Sequence, residues 1–224
     1  MATISFSRAG SDARSWFRPR LAIIGLVLLT VFALDTLAAT RALYLPFDPL
    51  MTRAIQSMPF GPLAWIFSKE DELEGLRQFA TGIGLILLVI VVSWRRSPLM
   101  LLGSLTGQMY QYTQAAIHRP RPSSVLVDVI RHTGSWSYPS GHVVFFTTYS
   151  VLLIVCLAYG RVPRTVLTGL WVAAGLLIAS VCIGRVYMGE HWPSDVIGGL
   201  ALAGGWVLLV LSVRPLSDSA LGRP

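Results

Sequence analysis

Three short polar clusters interrupt a mostly apolar chain: HRPRP at 118–122, SYPSGH at 137–142 and GRVYMGEHWPSD at 184–195. They hold residue types suited to a tetrahedral oxyanion. Arg119, Arg121 and Arg185 offer planar guanidinium forks that grip such oxygens in pairs. Ser140 and Gly141 stand just ahead of an apolar run, at the expected start of a helix. N–H groups there point outward and bind anions, and glycine lets an anion approach closely. His142 and His191 carry imidazoles that titrate near neutrality when unperturbed, fit for nucleophilic and acid–base roles. A helix starting at Trp192 or Pro193, with proline at its first position, puts Asp195 in the first turn. From there its carboxylate can accept a hydrogen bond from one ring nitrogen of His191 and leave the other free to attack. The chemistry these groups permit together is phosphoryl transfer. Taken singly, the clusters are explained as a stiff loop, a capped turn and surface anchors. Their ordered combination is far more specific.

The elements that position them are expected to be membrane helices. The 224 residues are 54% hydrophobic and 13% charged, about half the charge of a typical soluble domain. Mean hydropathy is +0.62. At about 20 residues per crossing, the length allows an all-α polytopic fold with six transmembrane helices. The apolar runs place them at 21–39, 79–94, 98–117, 142–159, 165–183 and 196–213. One membrane domain over 21–213 is then flanked by cytoplasmic tails at 1–20 and 214–224. After the first span, Asp48 and Pro49 read as a helix cap and first residue. Met51, Ile55 and Met58 then share one face of an interfacial helix. PLAWIF adds a second interfacial piece, and SKEDELEG reads as solvated. The GQMYQYTQ stretch in the third span is too polar for lipid and is expected to face a wet cavity. Asp35 falls near the outer end of the first span, where a structural role with Arg41 just beyond is the simpler reading. The repeated small residues of GGLALAGG suit close helix contact.

Net charge is +7, almost all of it from arginine, with Lys69 the single lysine. The charges are spread through short loops, which argues for a positive-inside membrane protein and against nucleic-acid binding. With the amino terminus inside, Arg8, Arg14, Arg18, Arg20, Arg95, Arg96, Arg161, Arg164, Arg214 and Arg223 are cytoplasmic. All three polar clusters then fall on the extracytoplasmic face of a bacterial-type inner membrane. Cys156 and Cys182 lie at different depths of neighbouring spans, so no disulfide is expected. No metal-ligand spacing occurs, and no cleavable signal peptide is evident.

The pattern resembles the type-2 phosphatidic acid phosphatase superfamily, integral-membrane lipid phosphatases related to vanadium-dependent haloperoxidases. That signature runs KxxxxxxRP, PSGH and SRxxxxxHxxxD. Pro139-Ser140-Gly141-His142 matches the second part in full. Arg185, His191 and Asp195 match the third, with Gly184 where serine is usual. Arg121-Pro122 match the first, with Gln114 in the lysine position. The resemblance implies a phosphatase-type helical bundle core and a metal-free reaction on a lipid phosphate substrate. It implies His191 as nucleophile forming a phosphohistidine, Asp195 as its orienting carboxylate, and His142 as the acid that protonates the leaving group and then activates water. Arg121, Arg185, Ser140 and the Gly141 N–H would hold phosphate. Gln114 brings no charge, and Arg119, then His118, are the nearest candidates to compensate. Phosphotransfer to an acceptor other than water, or non-catalytic binding of a lipid phosphate, are the competing readings. A transporter is disfavoured because the polar residues gather at one face.

Overall fold

The structure, a computed structural model, describes residues 16–70 and 72–221. Arg8, Arg14, Arg223 and most of the expected amino-terminal tail lie outside the described residues. Within them the chain is helical: α1 (Pro19–Arg41), α2 (Phe47–Gln56), α3 (Leu63–Glu70), α4 (Leu76–Ser93), α5 (Ser97–Gly103), α6 (Thr106–Ile117), α7 (Gly141–Leu153), α8 (Arg164–Tyr187), α9 (Pro193–Ser212) and α10 (Arg214–Leu221). The described residues form no strand, only an isolated bridge between Phe17 and Val213.

Five helical stretches are long and apolar enough to cross a membrane: Pro19–Arg41, Leu76–Ile117, Gly141–Ala158, Arg164–Tyr187 and Pro193–Ser212. Six were expected. The difference lies at Trp94–Arg96, a 3₁₀ turn that joins the second and third predicted spans into one 42-residue stretch. This stretch doubles back. Glu74 and Gln114, near its two ends, line the same cavity. At the bend, Ser93 accepts a bond from Arg161, and Arg96 donates to the carbonyls of Val155, Cys156 and Tyr159.

Helix α9 is the hub, packed against α1, α5, α6, α7 and α8. The close contact expected of its small residues is made with α1. A Cβ on Gly25 would sit 2.9 Å from the Gly205 carbonyl oxygen, so the two backbones meet where side chains would hold them apart. The outer face of α1 exposes Ile23, Val27 and Leu34, as a lipid-facing surface requires. The carboxyl end of α7 loosens into a π turn, Ile154–Ala158. Its carbonyls, in excess of helical partners, are taken up by Arg96 and by Arg161, which donates to Cys156 O at 2.8 Å. Arg18 pairs with Asp218 at the same end of the bundle. Neither Cys156 nor Cys182 is in a disulfide.

Helix α2 corrects one reading. Asp48 does not cap it as a surface residue; the carboxylate is fully buried. The helix turns its polar side, with Asp48 and Thr52, into the protein and leaves Met51 exposed, as is Met58 just beyond its end. Helix α3 packs on α8, where Phe60, Phe67 and Tyr187 form a cluster of ring edges and faces.

Candidate functional site

Three helix ends and one loop meet at the end of the bundle opposite Arg96 and Arg161. Pro193 is the first residue of α9 and Trp192 its N-cap, as expected. Asp195 reaches back to accept the Trp192 N–H at 2.8 Å. Ser140 is the N-cap of α7. Its N–H donates to the Asp195 carbonyl oxygen at 3.0 Å, which ties the two helix starts together. The Ser140 hydroxyl is buried and has no hydrogen-bond partner.

A cavity of about 480 Å³ opens between α4, α6 and α7. His142, His191, Arg121 and Gly141 line its polar end. Gly141 is pressed by the Tyr110 ring, 2.7 Å from where a Cβ would stand. The polar stripe of the third predicted span faces inward, with Gln108, Tyr110, Gln111 and Gln114 all on this wall. Phe79, Ile83 and Ile86 continue the cavity along α4, and Phe79 and Ile83 are also exposed on the outer surface.

His191 is almost fully buried. Its Nε2 lies 3.4 Å from the Arg121 guanidinium, on the cavity side. Its Nδ1 lies 3.7 Å from Asp195 Oδ2, longer than a hydrogen bond. Such contacts commonly tighten only when substrate binds. Burial, and then the adjacent Arg121 charge, push the His191 pKa down to about 3. The ring is therefore neutral at pH 7, with a lone pair available for attack. This carries a stability signature. The unfolded chain takes up a proton on this histidine near pH 6.5, and the folded protein only near pH 3. Between those values the unfolded state binds more protons. The contribution is complete above about pH 6.5 and is lost as pH falls towards 3. Melting temperature in detergent is expected to fall from pH 7 to pH 4, with a shallower slope in His191→Asn.

Arg121 donates to the Glu190 carbonyl at 2.7 Å and to Ser135 through its oxygen and hydroxyl, each at 2.8 Å. These bonds hold the guanidinium at the cavity wall. Gln114 also lines the cavity, and its amide donates to the Trp136 carbonyl at 2.8 Å.

Two of the expected phosphate-binding arginines, Arg119 and Arg185, are buried and do not line the cavity. Arg119 lies behind it. It donates to Asp195 Oδ1 at 2.6 Å, Asp48 Oδ2 at 3.0 Å, the Ser194 hydroxyl at 2.8 Å and the Leu43 carbonyl at 3.1 Å. Two fully buried carboxylates draw it inward, because a charge in that setting is tolerable only when paired. His118, the other expected compensator, caps α6 in a left-handed conformation at φ 50°, lies tilted against the Trp136 ring and does not line the cavity. Arg185 is also fully buried. It pairs with Glu190 at 2.8 Å and donates to the Phe67 carbonyl at 3.1 Å.

Residues that the sequence reading passed over therefore complete the site. Asp48 accepts from the Ser194 N–H at 2.9 Å and its hydroxyl at 2.7 Å, besides Arg119. Ser137 donates a short hydrogen bond to Asp195 Oδ2. Glu190, Arg131 and Glu74 form a chain of ion pairs at the rim. The available signal was modest: Ser137 and Ser194 adjoin motif residues, and Glu190 immediately precedes His191. Asp35, by contrast, stands apart from the cavity lining, its carboxylate against α9 near Gly198 and Tyr138. Among the described residues no group of three or more His, Cys, Asp or Glu side chains is placed to hold a metal ion.

Fold and site define a class: a multi-pass helical membrane protein with a histidine–arginine site at the starts of two of its helices. The chain belongs to the PAP2 superfamily, whose family profile matches residues 97–218. Sphingosine-1-phosphate phosphatase 1 of Rattus norvegicus is 31% identical over 122 residues, 54% of this chain and 27% of that protein. An undecaprenyl-diphosphatase of Sulfolobus acidocaldarius is 36% identical over 72 residues, 32% of this chain and 30% of that one. The match thus spans less than a third of either relative's length. Among solved structures, the transmembrane PAP2-type phosphatidylglycerolphosphate phosphatase of Bacillus subtilis superposes with a TM-score of 0.64 at 21% identity, covering 84% of this chain and 92% of that one.

Proposed function

We propose that the protein is a metal-independent phosphatase acting on a lipid phosphate or diphosphate at the extracytoplasmic face of the inner membrane. The observation that carries this reading is one cavity that joins His142, His191 and Arg121 to an apolar wall reaching the outer surface at Phe79 and Ile83. A phosphate at the polar end and an acyl or prenyl chain along that wall satisfy both halves. The names of the relatives, a sphingosine-1-phosphate phosphatase and an undecaprenyl-diphosphatase, fit the same chemistry. Phosphatidate, phosphatidylglycerol phosphate and polyprenyl diphosphates are the candidate substrates.

In the mechanism, His191 Nε2 attacks phosphorus as the bond to the leaving oxygen breaks. His142 gives its proton to that oxygen. Water then attacks the phosphohistidine, His142 takes a proton from the water, and phosphate leaves His191. In this reading Arg121 steadies the non-bridging oxygens, assisted by the Gly141 N–H and the Ser140 hydroxyl. Asp195, held by Arg119, Ser137 and the Trp192 N–H, offsets the charge that develops on the His191 ring.

The same reading has Leu76–Ile117 cross the membrane twice, so that the chain makes six crossings. The Arg18, Arg96, Arg161 and Arg214 end then faces the cytoplasm, and Met51 of α2 and Met58 just beyond it rest at the outer interface. Purified protein in detergent with EDTA is expected to release inorganic phosphate from at least one of these lipids. Binding without release across the whole panel would overturn catalysis in favour of a lipid-phosphate-binding role.

A further inference from the structure

The polar end of the cavity contains an uncharged residue, Gln114, where a cation would serve a phosphate best. The two nearest basic residues in sequence do not fill that role: Arg119 is locked between Asp48 and Asp195, and His118 turns outward. A third cation arrives from the loop that joins α6 to α7. The backbone of this loop is fastened to the turn before His191. The N–H groups of Ile130 and Arg131 both donate to the Met188 carbonyl, at 3.0 and 3.3 Å. Gln56 clamps the loop from α2, donating to the Asp128 and Tyr187 carbonyls at 2.6 and 3.0 Å and accepting the Asp128 N–H at 3.2 Å. Gly189, at φ 69°, lets the strands of chain approach so closely that a Cβ there would lie 2.2 Å from the Asp128 carbonyl oxygen. The backbone at Arg131 is thus fixed by these bonds, and its side chain is held by ion pairs.

The Arg131 guanidinium stands at the cavity rim. It lies 3.2 Å from Glu74, itself a lining residue, and 3.5 Å from Glu190 Oε1. Glu190 Oε2 is bound by Arg185, and the Glu190 carbonyl by Arg121. Three arginines therefore converge on the residue next to His191. Charge balance shows why the third matters. Around the cavity, Arg121, Arg131 and Arg185 face Glu74 and Glu190. Behind it, Arg119 faces Asp48 and Asp195. The two groups together sum to zero, and without Arg131 the surroundings of an incoming phosphate would be net negative.

We propose that Arg131 is a further phosphate-binding residue of this site, supplying from the loop the charge that Gln114 does not. It rests on the phosphatase reading above. In the free protein Glu74 and Glu190 hold the guanidinium at the rim. A phosphate entering between Arg121 and Arg131 takes over part of that pairing, as charged oxygens and a guanidinium fork favour.

The test combines turnover with binding of inorganic phosphate, measured as product inhibition and by calorimetry in detergent. Arg131→Ala is expected to lower kcat/KM and weaken inorganic phosphate binding, each by about tenfold or more. Arg131→Lys should retain most of both. The decisive variant is Gln114→Lys in the Arg131→Ala background, which places an ammonium on the facing wall and should recover at least half of the lost phosphate affinity. A loss in Arg131→Ala that Gln114→Lys fails to recover would mark Arg131 as a loop anchor and overturn the proposal. Wild-type kinetics and phosphate affinity in Arg131→Ala would overturn it as well. Absence of turnover in the wild-type protein would instead strike the phosphatase reading, and phosphate binding would still report on Arg131.

Discussion

Replacing His191 with alanine is expected to lower phosphate release by at least about a thousandfold, the scale on which enzymes lose activity when a covalent nucleophile is removed. The expectation rests on geometry. His191 presents Nε2 to the cavity beside Arg121 and keeps Nδ1 on the Asp195 side. Its burial keeps the ring neutral, so it needs no deprotonation before attack. Binding should survive, because Arg121 is anchored by Ser135 and the Glu190 backbone and not by the imidazole. The diagnostic result is therefore a collapse of kcat with affinity for inorganic phosphate within a few-fold of wild type. Rapid acid-free quenching of the wild-type protein with phosphorus-labelled lipid should leave label on the peptide containing His191. Turnover retained in His191→Ala would exclude a phosphohistidine at this position. His142→Ala is expected to be less severe on a substrate with a good leaving group, since its first task is to protonate that group.

The second large effect is structural and falls on Arg119. Arg119→Met keeps much of the side-chain volume but removes the cation that separates Asp48 from Asp195. Both carboxylates are fully buried. Breaking such a pair by deleting one partner typically costs about 3–5 kcal/mol, because the remaining charge is left uncompensated. Here one deletion strands two carboxylates, so the upper part of that range is expected, read as a lower midpoint in detergent unfolding. Adding Asp48→Asn to Arg119→Met should return part of the lost stability by removing one stranded charge. Activity should fall mainly in kcat, because Asp195 is no longer held by Arg119 facing His191 Nδ1, while affinity for inorganic phosphate changes little. A large loss of phosphate affinity with normal stability would instead restore Arg119 to the phosphate-binding role that its place in HRPRP first implied. Arg119→Lys is not a conservative control: one ammonium cannot reproduce a fork that reaches Asp48, Asp195, Ser194 and the Leu43 carbonyl together.

The family fold extends well beyond the motifs. At 21% identity the Bacillus subtilis structure still overlays 84% of this chain. Helix packing of this kind depends on apolar volume and small-residue contacts more than on particular side chains. That is visible in α1 and α9, where Gly25 and Gly205 set the approach. Gln114, on the cavity wall, brings no charge.

Residue order alone was enough to locate the apolar runs, the inward polar stripe of α6 and the start of α9 at Pro193. Each of these depends on composition or spacing within about one or two helical turns. That His142 and His191 stand at helix starts was legible for the same reason, and Arg121, in the loop after α6, was singled out by its place in the RP pair. The partners of the buried charges were not. Asp48 and Arg119 are 71 residues apart, and Arg119 and Asp195 are 76. An aspartate followed by proline looks locally like a surface cap, and RPRP looks like a phosphate clamp. Only the packing of α2 against α8 and α9 shows that Asp48 is sealed from water and must find a cation. The same packing, through Gln56 and the Met188 carbonyl, brings Arg131 beside Glu74 and Glu190. A charge's role depends on whether it ends in solvent, in a pocket or in the core. That is decided by which distant surfaces close over it, and spacing along the chain does not carry that information.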